Sequence, residues 1–87
     1  MKRITASLRE RVLEVVRKIS RGQTLSYKEV ARRAGNESAA RAVGAIMRAN
    51  RNSTVPCHRV ILSSGLPGGY NGGREKKERL LRAEGAL

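Results

Sequence analysis

The sequence predicts a small, mainly α-helical domain with a helix-turn-helix (winged-helix-like), a short extended segment and a C-terminal helix. Apolar residues recur at helical spacing in four segments, and the first three of these begin near a Ser or Asn that can cap a helix. With 87 residues and no Phe or Trp, the chain can build one modest aliphatic core. We therefore expect a single domain over residues 1–87, without a separate N-terminal domain.

The first predicted helix covers residues 5–19. Ser7 and Glu10 have the spacing of a capping box, and Gly22 follows as a stop signal. Charged residues separate the apolar ones, so one stripe of the helix should face the core. That stripe consists of Leu8, Val12, Val15, Val16 and Ile19.

Two shorter helices follow. A second Ser-x-x-Glu start, from Ser26 to Glu29, opens a helix that ends at Gly35. Asn36 is then the expected cap of a third helix over residues 37–49. Two short helices joined by a Gly-Asn turn are typical of a helix-turn-helix, but a plain helical core shows the same pattern.

The third helix has two different faces. Its apolar stripe, which should face the core, consists of Ala39, Val43, Ile46 and Met47. Its opposite face presents Arg41, Gly44, Ala45 and Arg48. Because Gly costs about 1 kcal/mol relative to Ala inside a helix, Gly44 implies either tight helix packing or close approach to a ligand. This face has no Asn, Gln or Ser, so if it binds DNA it should recognise the shape and the phosphates of the duplex rather than base edges.

The C-terminal part combines an extended run, a Gly-rich loop and a last helix. β-Branched residues favour an extended segment over residues 55–62, and the loop over residues 63–73 either wraps a small group or is plain surface. The helix over residues 74–84 places Glu84 on the inward side with Lys77, Leu80 and Leu81. Glu84 then needs His58 or an Arg as partner, unless it points outward at the helix end.

The charge balance favours a polyanionic partner. Nineteen Lys and Arg face seven acidic residues, all Glu, which gives a net charge of +12. Nucleic acid is favoured over an anionic membrane, and an Arg-rich surface of a thermophile or ribosomal-type protein is the alternative. No segment has the length and hydropathy of a membrane span or signal core, so we expect a cytoplasmic, nucleoid-associated protein.

Cys57 and His58 are the only cysteine and histidine of the chain, and they are adjacent. One Cys and one His cannot form an internal disulfide or a four-ligand zinc site, so no metal is expected. A thiol reacts as thiolate, and its ordinary pKa of about 8.5 leaves only a few per cent ionised at neutral pH. A neighbouring imidazole and guanidinium are the groups that can change this, so Cys57 is a candidate nucleophile.

Several motifs in order resemble one known family. They are Ser26-Tyr27, the helix from Ala39 to Asn50, Pro56-Cys57-His58-Arg59-Val60, Gly69-Tyr70-Asn71-Gly72-Gly73, and Leu80-Leu81 with Glu84-Gly85. Over about residues 8–86 the chain resembles the C-terminal active-site domain of the alkylguanine-DNA alkyltransferases, or methylated-DNA–protein-cysteine methyltransferases. The resemblance implies DNA repair by a single-turnover, "suicide" methyltransferase that flips an alkylated guanine out of double-stranded DNA.

The resemblance also implies roles for individual residues. Cys57 would accept the alkyl group from oxygen-6 of guanine and keep it. His58 would act as base through a water, oriented by Glu84. Tyr27 would donate to the leaving guanine, and Asn50 would brace the turn beside the cysteine.

For the DNA interface, the resemblance implies that Arg41 fills the gap left by the flipped base. The accompanying groove-binding residues would be Ala40, Gly44, Ala45 and Arg48. The lesion pocket would be lined by Tyr27, Val60, Tyr70, Asn71 and Gly72. No cofactor is implied, and the protein would act as a monomer on duplex DNA.

The chain departs from the family pattern in the stretch before Cys57 and in the Gly-rich loop. Arg51 stands where the family usually has Pro, the loop from Asn50 to Cys57 is shorter than in many relatives, and Asn71 replaces a common Ser. Two other classes compete with the alkyltransferase: an alkyltransferase-like lesion binder, in which Trp typically replaces the cysteine, and a helix-turn-helix regulator. A Cys-His hydrolase is less well supported, because no Asp or second His is present.

Overall fold

The computed structural model describes residues 7–68 and 73–86, and over these residues it is mainly α-helical. The helices are α1 (Leu8–Arg17), α2 (Tyr27–Arg33), α3 (Ala40–Ala49) and α4 (Arg74–Ala83). A 3₁₀ turn, Cys57–Arg59, leads directly into the strand β2 (Val60–Ile61), which pairs in parallel with β1 (Leu25–Ser26). The mainly α class predicted from the sequence is therefore confirmed.

Helix α1 begins with the predicted capping box. The Ser7 side chain accepts a hydrogen bond from the backbone N–H of Glu10, and the Ser7 backbone donates to the Glu10 carboxylate, each at 3.2 Å. Because Ser7 is the extended N-cap residue, the helix starts at Leu8 rather than at residue 5. It also ends before Ile19, since the N–H groups of Lys18 and Ile19 close a tighter turn onto carbonyls three residues back.

Helix α2 has the predicted cap, but the predicted start of α3 is wrong. Ser26 accepts from the N–H of Glu29 at 3.0 Å and so begins α2. Asn36 does not cap α3, because its backbone carbonyl accepts from the N–H of Ala39 and its side chain accepts from the Ser38 hydroxyl. These bonds close a separate turn, and α3 begins three residues later than expected, at Ala40.

The apolar stripes of α1, α2 and α3 pack against one another as their spacing predicted. The buried cluster consists of Val12, Val16, Ile19, Val30, Ala31, Ala34, Val43, Met47, Val55, Cys57 and Val60. Cys57 is thus part of the core rather than a surface thiol. The identification of the α2–α3 pair as a helix-turn-helix stays a prediction.

The extended segment predicted for residues 55–62 is mostly not a strand. Residues 57–59 form the 3₁₀ turn, in which the N–H of Arg59 bonds to the carbonyl of Pro56 at 2.9 Å. Only Val60 and Ile61 are extended, and they pair with Leu25 and Ser26 in register. This short ladder sets the start of α2 beside the Cys-His turn. Among the described helices, none is long and apolar enough to cross a membrane.

Candidate active site and nucleic-acid interface

Cys57 lies at the first position of the 3₁₀ turn with its side chain directed into the core. Only 5% of the residue is exposed. The backbone N–H donates to the carbonyl of Val55 at 2.8 Å, and the backbone carbonyl accepts from Val60. The thiol therefore has a fixed position, and a reactant must enter a pocket to reach it.

Asn50 ties the end of α3 to the turn that carries the thiol. This residue is buried, and its Nδ2 donates to the sulfur of Cys57 at 3.4 Å and to the carbonyl of Asn52 at 3.1 Å. Its Oδ1 accepts from the N–H of Asn52 at 3.2 Å. One amide side chain thus holds both the loop and the sulfur, which is the position expected for a residue that braces the turn.

Arg51, which departs from the family pattern, caps α3. Its guanidinium donates to the carbonyl of Arg48 at 2.9 Å and to that of Asn50 at 3.2 Å. Carbonyls at a helix C-terminus lack partners within the helix and carry partial negative charge, so a cation there satisfies both needs. The side chain thereby stabilises the end of the helix at the position where the resemblance leads one to expect Pro.

Glu84 is the centre of an ion cluster next to the cysteine. As the C-cap residue of α4, it accepts from His58 Nε2 at 2.9 Å and from two nitrogens of Arg59 at 2.7 and 2.9 Å. Arg59 also donates to the carbonyl of Ile19 at 2.8 Å. The inward orientation of Glu84 is thus confirmed, and both partners considered from the sequence, His58 and an Arg, are present.

The cluster fixes the charge of the carboxylate and the tautomer of the imidazole. Hydrogen bonds from Arg59, and to a smaller extent from His58, lower the pKa of Glu84 from 4.5 to about 2. An ionised carboxylate only accepts hydrogen bonds, so His58 Nε2 must carry a hydrogen. In the neutral ring Nδ1 is then the free base, one residue away from the thiol.

Lys77 forms a second polar centre, and the sequence analysis missed its role. The side chain is fully buried, and its Nζ donates to the carbonyl of Val60 at 2.6 Å and to the hydroxyl of Tyr27 at 3.2 Å. Burial lowers the pKa of Lys77 from 10.5 to about 8, partly offset by Cys57, and burial also raises the pKa of Tyr27. The available signal was a lysine on the leucine face of α4, since such a position demands a buried partner.

The exposed face of α3 borders a shallow depression beside the active site. Its lining residues are Tyr27, Ala40, Arg41, Gly44, Arg48 and Leu62. Arg41 and Arg48 are exposed, and Ala45 is exposed on the same helix outside this lining. Tyr27 belongs to both the depression and the Lys77 centre, so it connects the cationic face of α3 with the buried site.

The space around Gly44 bears on one of the two reasons considered for it. Among the described residues, a Cβ atom at this position would meet only the end of the Arg48 side chain, at an ordinary contact distance of 3.5 Å. Packing against the described residues therefore does not require glycine here. Close approach of an external surface, the other reason for a residue that costs helix stability, stays a prediction.

Three predicted pocket residues, Tyr70, Asn71 and Gly72, lie outside the described residues. Gly68, the last described residue before this loop, has φ +74°. A Cβ there would also come within 3.2 Å of the Leu62 side chain, so the backbone at the start of the loop requires glycine. Within residues 7–68 and 73–86, no group of His, Cys or acidic side chains is arranged to hold a metal ion.

Comparison with known proteins places these residues in context. Residues 7–86 match the family "6-O-methylguanine DNA methyltransferase, DNA binding domain". A methylated-DNA–protein-cysteine methyltransferase of Methanothermobacter thermautotrophicus is 55% identical over 75 residues, which cover 86% of this chain and 42% of that protein. The Homo sapiens enzyme of the same name is 45% identical over 88% of this chain and 38% of its own. The chain thus spans less than half the length of these relatives.

Two solved structures resemble the fold closely. Mycobacterium tuberculosis OGT in complex with DNA has a TM-score of 0.87 and 40% identity, covering 95% of this chain and 52% of that one. Schizosaccharomyces pombe Atl1, solved with damaged DNA containing O6-carboxymethylguanine, has a TM-score of 0.83 and 32% identity. This match covers 97% of this chain and 80% of that one.

The ion cluster predicts a pH-dependent loss of stability when Glu84→Gln is introduced. With a folded pKa of about 2 against 4.5, the stabilisation from Glu84 is complete above about pH 4.5 and is lost as the pH falls toward 2. At pH 7 the free energy of unfolding of the variant should be roughly 3 kcal/mol lower, because the part-buried Arg59 loses its charged partner. Urea unfolding at several pH values measures this difference.

The matched control is Glu78→Gln, which removes the same charge from the same helix and should change stability little. A difference between wild type and Glu84→Gln that stays constant from pH 7 to pH 2 would contradict the assignment of the stabilising charge to Glu84.

Proposed function

Because the chain belongs to the family of O6-methylguanine-DNA methyltransferases, we propose that it repairs DNA by transferring an alkyl group from oxygen-6 of guanine to Cys57. The observation that carries the proposal is the buried thiol with an amide donor on one side and the His58–Glu84 pair one residue away. A sulfur nucleophile and a base of fixed tautomer are the two groups that displacement at an alkyl carbon requires.

The chemistry balances with these residues alone. The thiol proton passes to His58 Nδ1, through a water, and a sulfur lone pair forms the new S–C bond. The C–O6 bond breaks, its electrons pass to the guanine, and the Tyr27 hydroxyl stabilises that negative charge by hydrogen bonding. Glu84 holds the imidazolium that forms, as its ion pair with the ring allows. Because nothing removes the alkyl group from sulfur, each molecule reacts once.

Burial of the thiol supports base flipping. A cysteine that is 5% exposed cannot reach a base that is stacked inside a duplex. The base has to leave the stack, which costs a few kcal/mol and least for a damaged base. The pocket assigned to it would combine Tyr27 and Val60 with Tyr70, Asn71 and Gly72. One lone pair of the Val60 carbonyl is occupied by Lys77, and the other is the acceptor proposed for the guanine.

We assign DNA binding to the exposed face of α3. Its two arginines and the net charge of +12 suit the phosphate backbone. Ala40, Gly44 and Ala45 have small or no side chains, which lets the helix lie close to a groove. Arg41 is proposed to occupy the gap left by the flipped base, and Arg48 to contact phosphate. The proposed partner is double-stranded DNA with an alkylated guanine, bound by a monomer in the cytoplasm.

A lesion-binding role without transfer is the second candidate. The observation that favours it is the similarity of the fold to Atl1, which was solved with damaged DNA, at a TM-score of 0.83 and 32% identity. Cys57 and the His58–Glu84 pair argue for transfer, since a protein that only binds lesions has no use for a nucleophile and base.

Mass spectrometry after incubation with a duplex carrying one O6-methylguanine distinguishes these two functions. We expect one methyl group on the peptide that contains Cys57 and an equal loss of the lesion. The control Cys57→Ala should transfer nothing yet bind the duplex, because the sulfur makes no contact with DNA phosphates. Tight binding of the lesion by the wild type with Cys57 unmodified would support the lesion-binding role instead.

Gly44→Ala should separate stability from DNA binding. The free energy of unfolding should rise by up to about 1 kcal/mol, because Ala favours the helix and the added methyl group has room. Affinity for duplex DNA should fall severalfold, because the methyl group meets the groove. Chemical unfolding and fluorescence anisotropy measure the two effects. Lower stability with unchanged affinity would indicate a packing role for Gly44.

Arg41→Ala should slow transfer from duplex DNA about tenfold or more, because the flipped state loses part of the few kcal/mol that offset unstacking. Transfer from a free O6-alkylguanine base needs no flipping and should change little. Arg9→Ala, which removes one exposed charge from α1, controls for net charge. Single-turnover rates with both substrates measure the effect, and equal losses on the two substrates would contradict the proposed role.

A further inference from the structure

Lys77 occupies a place where a charged side chain is costly. It is one of the fully buried side chains of the described chain, beside Leu81 and Val60, and a Leu or Met would fill similar space without loss of hydration. Its ammonium contacts two residues that the proposed reaction uses, Tyr27 and Val60. It also lies 5.5 Å from the centre of the Tyr27 ring. The group therefore joins α4 to the site that receives the guanine.

We propose that Lys77 is a positioning residue that keeps the Tyr27 hydroxyl in the orientation of a hydrogen-bond donor toward the flipped guanine. The inference rests on the proposed function, because it concerns the same pocket. An ammonium has three N–H donors and no acceptor, so in the contact between the two side chains the nitrogen donates and the phenol oxygen accepts. The hydrogen of the phenol is consequently directed away from Lys77.

The bond to Val60 keeps the ammonium from rotating. At 2.6 Å, the contact from Nζ to the Val60 carbonyl is the shorter of the two and anchors the side chain to β2. β2 pairs with β1, and β1 leads directly into α2 at Tyr27. The carbonyl and the phenol are thus held by the two paired strands, and Lys77 of α4 bonds to both, which defines the direction of the hydroxyl.

The orientation depends on the charge of Lys77. Among the described residues, the ionisable groups that act on this centre include Tyr27 from α2, Cys57 from the 3₁₀ turn and, acting on Tyr27, Arg48 from α3. Burial brings the pKa of Lys77 to about 8, whereas that of Tyr27 is raised above 10. Above about pH 8 the neutral amine gains a lone pair, and the phenol can then donate to Lys77 instead of to the guanine.

A double-mutant cycle on the transfer rate tests the inference. Lys77→Met removes the ammonium with little change in volume, and Tyr27→Phe removes the hydroxyl. We expect each single change to slow methyl transfer about 10- to 100-fold and the double variant to be no slower than the slower single variant. Independent structural effects would multiply instead. Lys76→Met, an exposed lysine of the same helix, is the matched control and should retain the wild-type rate.

Circular dichroism confirms that each variant is folded at the assay temperature. A multiplicative double variant overturns the inference and leaves the proposed function intact, because the wild type still transfers the methyl group. A wild type that leaves Cys57 unmodified overturns both.

The pH dependence of the transfer rate is a second test, which does not depend on the folding of Lys77→Met. The wild-type rate should fall above about pH 8, and the fall should be absent from Tyr27→Phe, which has no hydroxyl to reorient. Lys77→Arg stays charged at higher pH. In this variant the fall in transfer rate should therefore move to higher pH, because the side chain at position 77 still donates to the Tyr27 oxygen. Parallel profiles of the wild type and Tyr27→Phe would overturn the proposed control of the hydroxyl by Lys77.

Discussion

The ion cluster of Glu84 with His58 and Arg59 is the interaction on which the rest of the site depends. The Glu84 carboxylate, at the end of the last helix, bonds to His58 and Arg59 of the turn that carries the thiol. Arg59 also bonds to the carbonyl of Ile19. Three distant parts of the chain therefore meet at a single charge. Because the cluster is nearly closed to solvent, it is screened little by salt and its geometry is stable. The same contact that closes the fold also sets the tautomer of the neutral imidazole.

The cations of this chain serve two different physical purposes. Arg41 and Arg48 are exposed on α3, where they add to a long-range field that attracts a polyanion. Arg59 and Lys77 are enclosed and act through direct hydrogen bonds to a few neighbouring atoms, so they fix orientations rather than produce a long-range field. They also cost stability, which the packing of the three N-terminal helices must offset.

The parts of the fold that were predictable from sequence are those with local causes. The caps at Ser7 and Ser26 and the apolar stripes depend on residues within one or two turns, and their spacing is visible in the chain.

The start of α3 was mispredicted because Asn36 has two local uses, as a cap and as a turn residue, and only the packing of α2 on α3 selects the second. The 3₁₀ turn at Cys57 and the contacts of Lys77 depend on the pairing of β1 with β2. That pairing joins residues 35 positions apart, so no periodicity reveals it. The pocket residues Tyr70, Asn71 and Gly72 stay predictions.

Arg51 makes the stability of the last turn of α3 depend on the salt concentration. A Pro at this position would end the helix because its ring forbids continuation. Here the exit from α3 is held by a charged side chain on two carbonyls. An attraction between a cation and a helix terminus weakens with ionic strength, whereas a ring constraint does not. The last turn of α3, and with it Asn50 and the sulfur it contacts, therefore becomes more prone to fraying in concentrated salt than in a protein with Pro at the same place.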